Sequence, residues 1–340
     1  MNYLQLYNSL CKITIVFICL VICAGGFVRM TGSGMGCPDW PKCFGVWIPP
    51  TSVEQITWQK ETSYKSGQIL IKNQSLWFAQ NDVISKNNFN KDNWKKYEKH
   101  DYAKFNVAHT WTEYINRLFG ALAGLFCCAL FMTSIFTKNW YVIVFSTVLC
   151  LLMVFQAWLG GQVVESNLDE NKITTHMLSA LLILSLLFLL NRITALTKTP
   201  KNDLQKIWIS LAIVISLIQI VLGTQVREEV DELMKNHERI NIITHLSVFS
   251  QFHFHKIIAL LVFSSNAALV WYYRKWIYVY SETRSISVII ACLICSGGLM
   301  NYYGLIGVFQ LLHLIFAASL LMLQVSILLK QLHLPTVRFP

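Results

Sequence analysis

His255 and His313 are imidazoles placed about three and five residues inside the apolar runs Phe252–Tyr273 and Val308–Leu329. A titratable side chain in such a run is costly and by default functional. At about 1.5 Å per residue both lie within one or two helical turns of the same surface, so they can share a ligand. Two imidazoles from facing helices can hold a haem iron through both axial positions. Other chemistries for a histidine here are a core hydrogen bond, a zinc or copper site, or a proton path. No H-x3-H cluster or nearby cysteine ligand accompanies the pair, which weighs against zinc and copper. His253 points about 200° around the helix from His255 and cannot face the same iron; it and His237 read as core hydrogen-bonders.

Glu113 carries the second chemistry. It is four residues from both His109 and Arg117 and three from Asn116, so all four share one broad helical face. A carboxylate there can exchange protons or stabilise a cation, with its pKa tuned by burial and neighbours; the plainer reading is that it neutralises Arg117. Arg29, Arg117, Arg227 and Lys256 fall at outer ends of apolar runs, where charge-assisted bonds would orient an anionic ligand. Cys37 and Cys43, with Pro38 and Pro41 between them, can close a small disulfide loop, stay as free thiols, or form a redox pair, although C-x5-C is no thioredoxin-type spacing.

Composition says what must position these residues. Of 340 residues, 54% are hydrophobic and 14% charged, far below the roughly 25% charged usage of soluble domains. Apolar stretches near the ~20 residues that cross a bilayer occur at Ile13–Val28, Ile115–Phe136, Trp140–Gly160, Ile173–Leu190, Ile207–Val226, Phe252–Tyr273, Ile286–Gly304 and Val308–Leu329. An all-α polytopic membrane protein with eight transmembrane helices is expected. The first run has the look of a signal peptide, but the chemistry-bearing segment after it argues for a retained span.

On one side the connections hold Lys138, Arg192, Lys198, Lys201, Lys206, Arg274, Lys275 and Arg284 against Asp203 and Glu282; on the other they hold Lys172, Arg227, Lys235 and Arg239 against Glu165, Asp169, Glu170, Glu228, Glu229, Asp231, Glu232 and Glu238. Basic residues prefer the cytoplasmic face, so both termini are expected inside. The net charge of +10 is then a topology signal; it implies membrane lipid around the chain and no nucleic-acid partner. Residues 29–108 become one long outer loop without a clear helical or strand period. Cys37 and Cys43 alone lie in the oxidising compartment, the other cysteines being apolar fillers in or beside spans.

The chain also echoes itself. QAWLGGQVVE at 156–165 matches QIVLGTQVRE at 219–228, Asn116–Arg117 corresponds to His255–Lys256, and His176 to His313. Two pseudo-repeated four-helix bundles follow, residues 1–190 carrying the long loop and residues 207–330.

GGFVRMTGSGMGCPDWPKCFG, EYINRLFG, QAWLGGQVV with THMLSA, QIVLGTQVREEVD, FHFHK and LLHLIFA together resemble the haem A synthase family over nearly the whole chain. The resemblance implies oxidation of a ring methyl of haem O to a formyl group by successive hydroxylations, yielding haem A for cytochrome oxidase. It implies a resident haem b on His255 and His313, and substrate haem O in the first half near Glu113 and His176, with Cys37–Cys43 bracing a lid. Haem O synthase and cytochrome oxidase assembly are the implied partners, and self-association is compatible with it. The implied place is the inner cell membrane, with the haem sites near its outer face. The family reads E-Y-x-H-R where this chain has Asn116; either His176 alone holds the substrate iron, or His109 substitutes. Lys256 replaces the usual arginine and keeps charge without the bidentate fork. A non-catalytic haem b electron carrier or quinone-linked cytochrome is the rival reading.

Overall fold

The computed structural model describes residues 3–98, 105–194, 203–235, 246, 248–274 and 281–332; His237 lies outside them. Among the described residues, eight helices are long and apolar enough to cross a membrane: α1 (Tyr3–Met30), α2 (Val107–Phe136), α3 (Trp140–Glu165), α4 (Glu170–Thr194), α5 (Asp203–Lys235), α6 (Ser250–Tyr273), α7 (Glu282–Tyr303) and α8 (Gly307–Gln331). Only 17–33% of each apolar window is buried within the chain, which leaves most of the apolar surface to face lipid. Several helices outrun the apolar stretches. HTWT precedes the second stretch and REEVDELMK continues the fifth, because no proline or glycine interrupts the backbone ladder where polarity begins.

The chain divides into two compact units. One comprises Met1–Cys23, Ala123–Met153 and Met177–Pro340; the other comprises Ala24–Leu122 and Val154–His176. In the first, α5 packs on α6, α6 on α7, α7 on α8 and α8 back on α5, a closed four-helix ring. Its apolar core includes Ile209, Val262, Leu269, Ile286 and Ile327. Within it, Gln324 donates to Ser216 Oγ at 2.9 Å and to Asn266 Oδ1 at 3.0 Å. Three helices are thus tied by side-chain hydrogen bonds where lipid offers no competing partner. A second cluster in this unit, including Tyr7, Cys11, Cys127, Leu149 and Leu187, joins α1 to α4.

The second unit contains the outer loop, which is folded. Strands β2 (Ile69–Lys72), β3 (Ser75–Ala79) and β5 (Trp94–Lys96) form a three-stranded antiparallel sheet, while β1 (Ser63–Tyr64) pairs with β4 (Val83–Ile84). Asn73 and Gln74, both at positive φ, make the two-residue turn between β2 and β3. Ile69 and Leu76 pack on the Cys37–Cys43 disulfide with Phe44 and Ile56, while Leu70 enters a separate cluster with Tyr64, Ala79 and Trp94. The sheet is buried on both faces, and Lys72 caps one cluster 4.4 Å from the Trp58 ring centre and 3.9 Å from that of Phe89.

Candidate functional site

The helix pairs share one packing device. A Cβ built on Gly160 of α3 would meet His176 Cε1 of α4 at 3.4 Å, one on Gly223 of α5 would meet His255 Cε1 of α6 at 3.2 Å, and one on Gly297 of α7 would meet His313 Cε1 of α8 at 3.5 Å. In the first pair, Gly25 of α1 stands in the same relation to Asn116 Oδ1 of α2, at 3.9 Å. Small residues let helix backbones approach, and here they seat one polar side chain per pair. The sequence echo acquires a cause: Gln and Gly, one helical turn apart, share a face. Gln156 Nε2 donates to the His176 carbonyl at 3.0 Å, and Gln219 Nε2 to the His255 carbonyl at 3.0 Å. The repeating unit is the helix pair, which is why α3 echoes α5 while α2 corresponds to α6.

His255 and His313 face each other with ring centres 6.4 Å apart and planes inclined at 55°. Two metal–imidazole bonds of about 2.0 Å, each with about 1.15 Å from nitrogen to ring centre, need about 6.3 Å. The ring-centre separation of the pair matches that span. Ser296 Oγ lies 2.9 Å from His313 Nδ1 and orients that ring through the nitrogen other than Nε2. Gln219 Nε2 is 3.2 Å from His255 Nε2, and His255 Nδ1 is buried without a hydrogen-bond partner.

In the other unit, Glu113 is buried, and both of its oxygens are engaged. Oε2 accepts from the Cys37 N–H at 2.9 Å, and Oε1 accepts from Arg117. Arg117 also donates to the carbonyls of Asp39 at 2.9 Å and Lys42 at 2.8 Å. Thr110 Oγ1 donates to Gly36 O at 2.8 Å, and a Cβ at Gly36 would strike the backbone of His109 and Thr110. The loop closed by the Cys37–Cys43 disulfide is thereby clamped on the first turns of α2. Tyr97 donates to Pro38 O at 2.6 Å, and burial pushes its phenol up to about 12, assisted by the negative charges of Asp39 and Glu165. Burial also raises the Asp39 carboxyl above its ordinary range, opposed by the Gly45 N–H at 2.9 Å. Gly45, at φ 75, turns the chain where any Cβ would hit the backbone of Gly67 and Gln68. A Cβ built on Gly161, the residue after the His176 seat, would meet the Trp40 ring at 3.1 Å.

The remaining sequence candidates are placed differently. Arg227 pairs with Asp231 at 2.7 Å and bonds Gln310. Lys256 is exposed and stacks over Phe252 at 3.9 Å. Arg29 is half-buried in the last turn of α1. His109 sits in the first turn of α2, seven residues and about 10 Å of helix rise from Asn116. His253 is exposed rather than a core residue, because the apolar ring of helices turns its other face inward. Gln156, Gln219, Ser296, the seating glycines and Trp40 were missed as site residues; QxxLG was visible only as an echo.

The COX15-CtaA family, described as cytochrome oxidase assembly protein, matches residues 8–81 and 82–325. The chain belongs to this family. Named relatives include a heme A synthase of Bartonella tribocorum, 26% identical over 235 residues, covering 63% of this chain and 56% of the relative. One from Shewanella oneidensis is 29% identical, covering 63% and 54%, and one from Rickettsia prowazekii is 26% identical, covering 76% and 77%. The chain thus spans little more than half the length of the first two relatives. No solved structure matches it significantly. Against the family background, the disulfide gives a direct expectation. Thiol alkylation of the native oxidised protein should leave Cys37 and Cys43 unmodified, and the mass of two alkyl groups in that loop should appear only after reduction. Alkylation of both without reductant would exclude the pairing.

Proposed function

We propose that this chain is a haem A synthase, oxidising the ring methyl of haem O to a formyl group through successive hydroxylations. The observation that carries the reading is the facing pair His255 and His313, whose separation suits a shared iron, within a member of this family. Those two residues would hold a resident haem b, which supplies one-electron redox chemistry when bound. The protein's own part is to seat both imidazoles by Gly223 and Gly297, to orient His313 through Ser296, and to hold the His255 backbone carbonyl through Gln219.

Substrate haem O is assigned to the first half, by His176 and Asn116 beneath the disulfide loop. There Glu113 and Arg117 act first as the clamp of that loop, and through it set what covers the substrate. Arg29, Arg117, Arg227 and Lys256 are the cations proposed to meet haem propionates, with Arg117 and Arg227 also held by protein partners. The charge asymmetry supports an inner-membrane chain with both termini cytoplasmic and the sites near the outer face, acting beside haem O synthase and in cytochrome oxidase assembly.

The test is pigment chemistry. In a host lacking its own haem A synthase, co-expression of this chain with a haem O synthase should convert extractable haem O into haem A. Accumulated haem O beside a fully haem-b-loaded protein would favour the non-catalytic electron carrier instead.

A further inference from the structure

The glycine seats allow a position-by-position comparison that sequence alone does not. Three of the four helix pairs place a histidine against the seat, and the fourth places Asn116 there. Asn116 is thus the structural counterpart of His176, His255 and His313, whereas His109 lies two turns away on the same helix. The carboxamide oxygen of Asn116 is buried and has no hydrogen-bond partner, and neither has buried Nδ1 of His176. An unsatisfied buried polar atom is costly and calls for a ligand or water. Moreover, an asparagine side chain ends one bond short of the reach of imidazole Nε2, and its neutral carboxamide is a poor ligand for haem iron beside nitrogen donors.

We propose that the first half holds its haem through one imidazole, that of His176, and that Asn116 leaves the opposite face open to a small exogenous ligand to which its carboxamide can hydrogen-bond. The two halves are then unequal by a single side chain: a closed two-histidine site for retention, and a one-histidine site with an accessible iron. This rests on the two-haem reading above, and its test separates the two.

Full-length protein purified in detergent with its resident haem is titrated with ferric haem O and followed by electron paramagnetic resonance, then reduced and exposed to carbon monoxide. The resident haem should give a low-spin, carbon-monoxide-insensitive signal, and the added equivalent a high-spin signal with a carbon-monoxide adduct on reduction. His176→Ala should lose the second signal and spare the first. Asn116→His should turn the second haem low-spin with loss of the adduct, and Asn116→Ala, which supplies no ligand, should keep it high-spin. A second haem that is low-spin in the unaltered protein, or that does not bind, overturns the inference. Persistence of the high-spin signal in Asn116→His with haem O bound does so too. Absence of a low-spin resident signal that His255→Ala abolishes would instead defeat the two-haem reading.

Discussion

Protein carrying His313→Ala is expected to reach the membrane in normal amount and to be purified without low-spin haem b, and His255→Ala should behave alike. In the proposed haem b site the two imidazoles, with ring centres 6.4 Å apart, would be the two protein ligands, and no other histidine among the described residues is seated on those helix pairs. The fold should persist, because the hydrogen-bonded tie of Gln324, Ser216 and Asn266 is remote from the two imidazoles. Gln324 is eleven residues, about 16 Å, further along α8 than His313. Haem-to-protein ratio and the reduced spectrum are the measurements. A variant retaining the full bis-imidazole spectrum would remove the assignment. Ser296→Ala offers a graded companion: with both ligands present, haem should be retained while the potential shifts, since an outer hydrogen bond tunes a ligand's basicity.

The second large effect is expected at Glu113. Its carboxylate and the Arg117 guanidinium are 6% and 14% exposed, so Glu113→Gln leaves a nearly buried cation without its counter-charge. Breaking such a pair costs about 3–5 kcal/mol, and the lower end applies because Arg117 keeps two carbonyl acceptors. Glutamine can still accept from the Cys37 N–H. The loop should therefore loosen rather than detach, the disulfide should be reduced faster, and haem A formation should fall to background. Combining Glu113→Gln with Arg117→Gln separates clamp from chemistry. If the double variant regains both slow reduction and haem A formation, the carboxylate serves as a clamp; if it regains slow reduction alone, the carboxylate also takes part in the reaction. Unreduced haem A formation by the single variant would deny it either role.

Hydrophobic stretches announced all eight helices, because the bilayer requires the same thing of each segment independently of the others. The loop of residues 29–108 was opaque for the opposite reason. Its strands are two to five residues long, and β2 places Ile69 in one cluster and Leu70 in another. With apolar residues on both faces, the period of two that would reveal a strand is erased. The pairing of β3 with β5 also depends on residues far apart in the chain.

The candidate site divides along the same line. His255, His313 and His176 stood out because an imidazole in an apolar helix is conspicuous anywhere, and Glu113 because four polar residues shared one helical face. The glycines opposite them were not conspicuous, since a glycine's part lies in what another helix brings against it. Glu113 shows the difference most clearly. Its helical spacing from Arg117 was legible as a local i,i+4 relation, and the ion pair is present. Its bond to the Cys37 N–H, 76 positions away, was not. The sequence by itself determined the spans and their polar intruders, Asn116 among them, all set by local chemistry against a uniform solvent. Only the tertiary structure decided which glycine seats which polar side chain and which helix the disulfide loop is clamped to, because those contacts arise from backbone approach between segments that no local periodicity encodes.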